Sequence, residues 1–170
     1  MLPNVRKILY ATDMGENADI VFRYAISLTH RYNAHLTLVH VTEQLGTFGE
    51  ALFEAHFPEE KAKQMHTEAV EKVQKKMQSE LEAFCINELK NSEVTQHLVE
   101  SITVIEGHSP AQAIVDYAKT QEIDMIVMGT REHTALGELF IGSVARRVTQ
   151  LSAIPVLIVP IQSNTSNEES

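Results

Sequence analysis

A chain of 170 residues, 44% hydrophobic and 22% charged, has the length and balance of one ordinary globular domain. Its formal net charge of −9 disfavours DNA, RNA and anionic lipid as partners, and its one cysteine, Cys85, excludes an intramolecular disulfide or a thiolate metal cluster within one chain. No segment reaches the ~20 apolar residues that span a bilayer, and Met1–Lys7 is not followed by the apolar run of a secretory signal, so no membrane partner and a cytoplasmic location are expected.

Val5–Ala11 is a β-rich run closed by Thr12, Asp13, Met14 and Gly15, whose polar side chains and glycine mark a loop. A helix is predicted from about Asn17 to Arg31, with Val21, Tyr24, Ala25, Leu28 and Tyr32 on one face and Asn33 as its terminator. His35–Val41 is too apolar for a strand with one wet face, which predicts burial on both sides. Residues 43–58, with Gly46, Gly49 and Pro58 among scattered phenylalanines, read as a partly ordered excursion.

From Glu59 to about Lys90 the chain reads as one helix, with Met65, Ala69, Val73, Met77, Leu81 and Phe84 as its stripe. Such a helix of ~30 residues spans ~45 Å, longer than the sheet beside it, so its outer end is expected to project or bend. Ser101–Ile105 is the third strand. Ser109, Pro110 and Gln112 then look like an N-cap, a first helical residue and a capping-box partner, ahead of a face made by Ile114, Tyr117 and Ala118. Ile123–Met128 is the fourth strand, and the last helix begins near Gly142 with Val144, Val148 and Leu151 on one face. Pro155 precedes a fifth strand, Val156–Val159. Residues 1–161 are expected to form a single domain, followed by a polar, disordered tail at 162–170.

Strands alternating with helices predict an α/β fold, a parallel sheet covered on both faces. In that arrangement the stretch Gly129–Ser143, GTREHTALGELFIGS, joins the carboxyl end of a strand to a helix start. Unpaired N–H groups and the positive end of a helix dipole make such a junction a natural anion site.

The loop keeps the spacing Gly-x2-Gly-x9-Gly-(Ser/Thr) at Gly129, position 132 and Gly142-Ser143, with Glu132 in place of the middle glycine. Thr12-Asp13 after strand one, Val39-His40-Val41 at the end of strand two, Gly107-x-x-Pro110-Ala111 and Ile154–Val159 complete a pattern that resembles the universal stress protein family over nearly the whole chain. The resemblance implies an open, doubly wound, five-stranded parallel sheet in the order 3-2-1-4-5 with helices on both faces. It implies an adenine nucleotide, ATP or AMP, with magnesium only if ATP is bound. Asp13, with Thr12 beside it, would lie on the ribose or adenine side, and Val41 would meet adenine through its backbone. Gly129, Glu132, Gly142, Ser143 and Val144 would border ribose and phosphates. It also implies a homodimer made by the last strand through Pro155, Val156, Leu157, Ile158 and Val159, and a stress-response role without strong catalysis beyond slow ATP hydrolysis.

Other readings of the same residues stay open. Asp13 alone would serve to cap the first helix, with Glu16 as its box partner, and Ser143 to cap the last. Glutamate at 132 adds roughly 1–2 kcal/mol if the family's glycine there has positive φ. Its carboxylate ~6 Å from a phosphate would add about 3 kcal/mol of repulsion at an effective dielectric of about 20. A dimeric interaction module of the same fold that binds no nucleotide, acting on a protein partner, is therefore the alternative. A hydrolase built from Asp13, His40 and a hydroxyl of Ser109, Ser143 or Thr130 is a third reading, without a Gly-x-Ser-x-Gly elbow to support it. No metal site is expected, because the eight histidines form no ligand spacing. Cys85 reads as a small buried residue.

Overall fold

Each β-rich run becomes a parallel strand, and each amphipathic run a helix laid across the sheet. A computed structural model describes residues 2–43, 59–90, 97–130 and 141–161. In chain order the elements are β1 (Lys7–Ala11), α1 (Ala18–Tyr32), β2 (His35–Glu43), α2 (Glu59–Leu89), β3 (Val99–Gly107), α3 (Pro110–Thr120), β4 (Met125–Gly129), α4 (Ser143–Leu151) and β5 (Val156–Val159). The strands form one sheet in the order β3-β2-β1-β4-β5, all neighbours parallel. Glu43, expected to open the excursion at 43–58, instead closes β2, and the rest of that stretch and the tail at 162–170 lie outside the described residues.

Alternate side chains of each strand enter opposite cores. Ile8, Tyr10, Leu36, Leu38 and Val127 meet Val21 and Phe22 of α1 and Leu81 and Cys85 of α2 on one face. Leu9, Val39, Ile126 and Met128 meet Ile114 of α3 and Val148 of α4 on the other. Double coverage explains why β2 sends apolar side chains to both faces, Leu36 and Leu38 to one core and Val39 and Val41 to the other. No helix among the described residues is long and apolar enough to cross a membrane.

Several boundaries and faces differ from expectation, for identifiable reasons. β3 runs past Ser101–Ile105 at both ends, because it pairs with β2 from Val99 to Gly107 and pairing, not residue preference, sets its length. β4 begins later than Ile123 because Asp124 is used otherwise. Its Oδ2 accepts from the N–H groups of Arg6 and Lys7 at 2.8 and 2.9 Å, clamping the amino ends of β1 and β4. α1 is rotated from its predicted face. Phe22, Ile26 and Thr29 are buried beside Val21 and Ala25, whereas Tyr24 and Tyr32 are 56% and 48% exposed. Thr29 hid this phase, and it buries because its hydroxyl donates to the Ala25 carbonyl at 2.7 Å. Asn33 does end α1, in the left-handed conformation with φ of 51°.

Only the final third of α2 joins the core. Leu81, Cys85 and Leu89 are buried, but Met65 and Val73 on the predicted stripe are exposed, so the amino-terminal portion projects as its length implied. Burial pushes the Cys85 thiol up to about 12, and nearby Glu82 adds to the shift, so the side chain behaves as a small hydrophobe rather than a nucleophile. Ser109 caps α3 by accepting from Gln112 N–H, but Gln112 donates its side chain to Asp116 at 2.9 Å instead of closing the capping box.

Gly107 lets the end of β3 approach α3. A Cβ on it would stand 2.8 Å from Ala113 Cβ, which has no rotamer by which to retreat. A Gly107→Ala variant is expected to lose about 1–3 kcal/mol of stability, read from urea denaturation.

Candidate functional site

β1 ends at Ala11, and the chain then turns sharply across the top of the sheet. Two short turns shape this crossing. Thr12 Oγ1 accepts from Met14 N–H, and Asp13 Oδ1 accepts from Gly15 N–H, each at 3.0 Å. Met14 and Asn17 both take positive φ, 58° and 64°, a local cost of about 1–2 kcal/mol for a side-chain-bearing residue that the surrounding bonds must offset. Asp13 therefore does not cap α1, which starts only at Ala18. Its carboxylate instead braces the loop and stands exposed at the rim.

Below the loop, Tyr10 is 1% exposed and its hydroxyl lies 2.9 Å from the Ala18 carbonyl and 3.1 Å from Thr12 Oγ1. The carbonyl can only accept, so the single phenolic proton goes there and the Thr12 hydroxyl turns its own proton to the phenol oxygen. Burial drives the phenol well above its ordinary range. The loop is thus pinned to β1 and to the first turn of α1. His40 adds a third tie. Its Nδ1 lies 2.9 Å from the Thr12 carbonyl, which fixes the proton on Nδ1.

β4 delivers the facing wall. Thr130 N–H donates to the Val159 carbonyl at 3.0 Å, and Thr130 Oγ1 accepts from Ile161 N–H at 2.8 Å, joining the carboxyl ends of β4 and β5. Gly129 is required here by packing. A Cβ would lie 2.8 Å from both Val21 Cγ2 and Ile161 Cδ1. Gly142, not Ser143, holds the N-cap position of α4, and its carbonyl accepts from Arg146 N–H at 2.9 Å. Ser143 is the exposed first helical residue, because the chain enters in extended form at Gly142 with ψ of 155°. A glycine cap contributes no side-chain acceptor to the first amides of α4.

Between these walls lies a cleft of about 290 Å³ at the carboxyl ends of β1 and β4. Thr12, Asp13, Val41, Gly129, Gly142 and Val144 all line it, over an apolar floor that includes Val39, Ile114 and Met128. Six of the eight residues predicted for this site from sequence thus come together. Ser143 is not among those lining the cleft, and Glu132, with Arg131 and His133, lies outside the described residues. Tyr10, Glu16 and Ile161 line it without having been predicted there, as does His40, which the sequence offered as a member of the Val39-His40-Val41 pattern and of the hydrolase reading. The one signal for Ile161 was an apolar residue following Pro160 at the close of the last strand.

Three of the groups named for a hydrolase hold structural bonds, and Ser143 does not line the cleft. The His40 ring is held by a carbonyl, Thr130 Oγ1 is buried against Ile161 N–H, and Ser109 caps α3. Pro155 to Val159 lie at the far side of the sheet. Among the described residues β5 pairs with β4 alone, Leu157 is 37% exposed, and Val159 is buried.

Residues 4–160 match the model of the Universal stress protein family. A universal stress protein of Thermus aquaticus, found in a sulfhydrylase 3′ region, is 30% identical over 155 residues, 91% of this chain and 98% of the relative. The solved structure of MJ0577 from Methanocaldococcus jannaschii is similar with a TM-score of 0.60 and 27% identity, over 94% of this chain and 98% of that one. The universal stress protein of Archaeoglobus fulgidus, solved in complex with dAMP, shares the fold with a TM-score of 0.54 and 18% identity, over 92% and 98% of the two chains.

Proposed function

Because the chain belongs to the universal stress protein family, we propose that its cleft binds an adenine nucleotide, ATP or AMP, and serves stress signalling in the cytoplasm as a homodimer. The observation that supports this reading is the convergence, in one cleft, of Asp13, the β2 segment at Val41 and the glycine-capped start of α4. A carboxylate suits ribose hydroxyls, a strand backbone suits the edge of a base, and a helix N-terminus suits a phosphate. The Archaeoglobus fulgidus relative with dAMP supplies a precedent for that ligand class on this fold. Magnesium enters only with the triphosphate, and no described side chain is poised as a strong general base. The single domain is proposed to run to residue 161.

Calorimetric titration with AMP, and with ATP in the presence and absence of magnesium, tests the reading. Saturable heat with AMP is expected. Its absence at millimolar nucleotide would remove the reading. One sequence feature favours the alternative, an interaction module that binds no nucleotide. Glu132 places a carboxylate where the family pattern has glycine. Under the nucleotide reading, a Glu132→Gly variant tightens ATP by about tenfold or more, as the relief of even half the ~3 kcal/mol repulsion requires. AMP, with less charge to repel, responds less.

The homodimer reading rests on β5. It is an edge strand with apolar Leu157 turned outward, and an unpaired apolar edge calls for a cover. A Leu157→Arg variant is expected to sediment as a monomer under conditions where the parent chain is a dimer. Unchanged dimer mass would place the interface elsewhere.

A further inference from the structure

β2 outruns β1, and the overhang creates a strand edge that β1 leaves unpaired beside the cleft. β1 pairs with β2 only as far as Ala11 opposite Val39, whereas β2 continues along β3 to Glu43 opposite Gly107. The last rung between β1 and β2 is Thr12 N–H to the Val39 carbonyl at 2.9 Å. In a strand, the N–H and C=O of one residue point to the same side and alternate residues to opposite sides. Val39 faces β1, so Val41 faces the same way, beyond the point where β1 has turned off.

In a continued parallel ladder the Val41 N–H would donate to the Thr12 carbonyl. Among the described residues it does not. That carbonyl is taken by His40 Nδ1 at 2.9 Å. The partner carbonyl of Val41 would have accepted from Met14 N–H, but that amide is turned onto Thr12 Oγ1 at 3.0 Å. One bond from the His40 side chain of β2 and one within the loop thus engage the two groups that would have closed the next rung.

We propose that His40 is a positioning residue that, by occupying the Thr12 carbonyl, keeps the N–H and C=O of Val41 available to a ligand in the cleft. One residue's adjacent donor and acceptor match a heteroaromatic edge carrying an amino group beside a ring nitrogen, as in 6-aminopurines. A 6-oxopurine presents the reverse pattern at the same edge and is discriminated against. The ligand identity rests on the nucleotide reading above; the held-open edge does not.

The experiment is amide hydrogen exchange at Val41 in the ligand-free protein, with AMP and IMP affinities measured alongside. In the parent chain the Val41 amide exchanges readily. In His40→Phe, and in His40→Ala as a second variant without added bulk, the freed carbonyl captures the Val41 amide. Exchange then slows by about tenfold, the worth of one net hydrogen bond, and AMP affinity falls by a similar factor. His40→Asn, whose amide donates to the same carbonyl, restores both values. A merely structural role for the ring moves melting temperature but not Val41 exchange. Equal Val41 exchange in parent, phenylalanine and alanine variants overturns the proposal, whether or not AMP binds. A Val41 response without AMP binding leaves the held-open edge standing and removes only its nucleotide.

Discussion

An Asp13→Ala variant is expected to bind AMP roughly 10–100-fold more weakly than the parent chain, the worth of about 1.5–3 kcal/mol for hydrogen bonds to a charged acceptor. Asp13 lies on the cleft rim, and its carboxylate is braced by Gly15 N–H at 3.0 Å, so its position is set before any ligand arrives. Pre-orientation matters because a side chain already fixed loses little further freedom on binding. Asp13→Asn keeps an oxygen for the Gly15 turn but loses the charge, and falls between parent and alanine. Folding stability changes little in either variant, since Asp13 is exposed and Thr12, Tyr10 and His40 hold the loop independently. Calorimetry gives the affinity, and thermal unfolding without ligand gives the control. A large loss of stability with unchanged affinity would assign Asp13 to the loop alone.

Phe22→Ala carries the largest expected effect on stability, about 3–5 kcal/mol, as for other fully buried aromatic side chains truncated to alanine. Phe22 is 1% exposed. Its ring lies 6.1 Å from that of Tyr10 on β1 and makes an edge contact at 5.4 Å with Phe84 on α2. One side chain thus joins a central strand to both helices of that face. Truncation opens a cavity under Tyr10, whose hydroxyl anchors the binding loop through Ala18 and Thr12. The loss is read from urea denaturation, and a cost under ~1 kcal/mol, the level of volume-conserving swaps, would mean that the helices repack without it.

The succession of strands and helices along the chain was legible from the alternation of apolar runs with helical stripes, whereas the sheet order β3-β2-β1-β4-β5 came only with the family resemblance. β2 announced its double coverage by being apolar at successive positions. What the residues could not show was phase and reach. Thr29 looked polar and was excluded from the α1 face, although its hydroxyl finds a carbonyl within its own helix. β3 was drawn too short because its ends are defined by pairing to β2, a long-range fact that local preference does not carry.

The cleft shows the same division. Glycines at 129 and 142 marked its wall, but their physical reasons differ from each other. Gly129 makes room for Val21 and Ile161, and Gly142 supplies an N-cap without a side chain. Ser143 was one position from the truth because a serine before a helix ordinarily caps it. His40 was legible as a packed or hydrogen-bonded residue at a strand end, without its partner. Its part in ending the β1–β2 ladder needed the bond to Thr12, which no spacing rule predicts.

The claim on which the account turns is that an adenine nucleotide sits in the cleft between the β1 loop and the start of α4. A backbone amide chemical-shift titration with AMP tests it most directly. Saturable shifts at Asp13, Val41, Gly129 and Val144 are expected, with little change along β5. Shifts confined to other surfaces, or none at millimolar AMP, would contradict it.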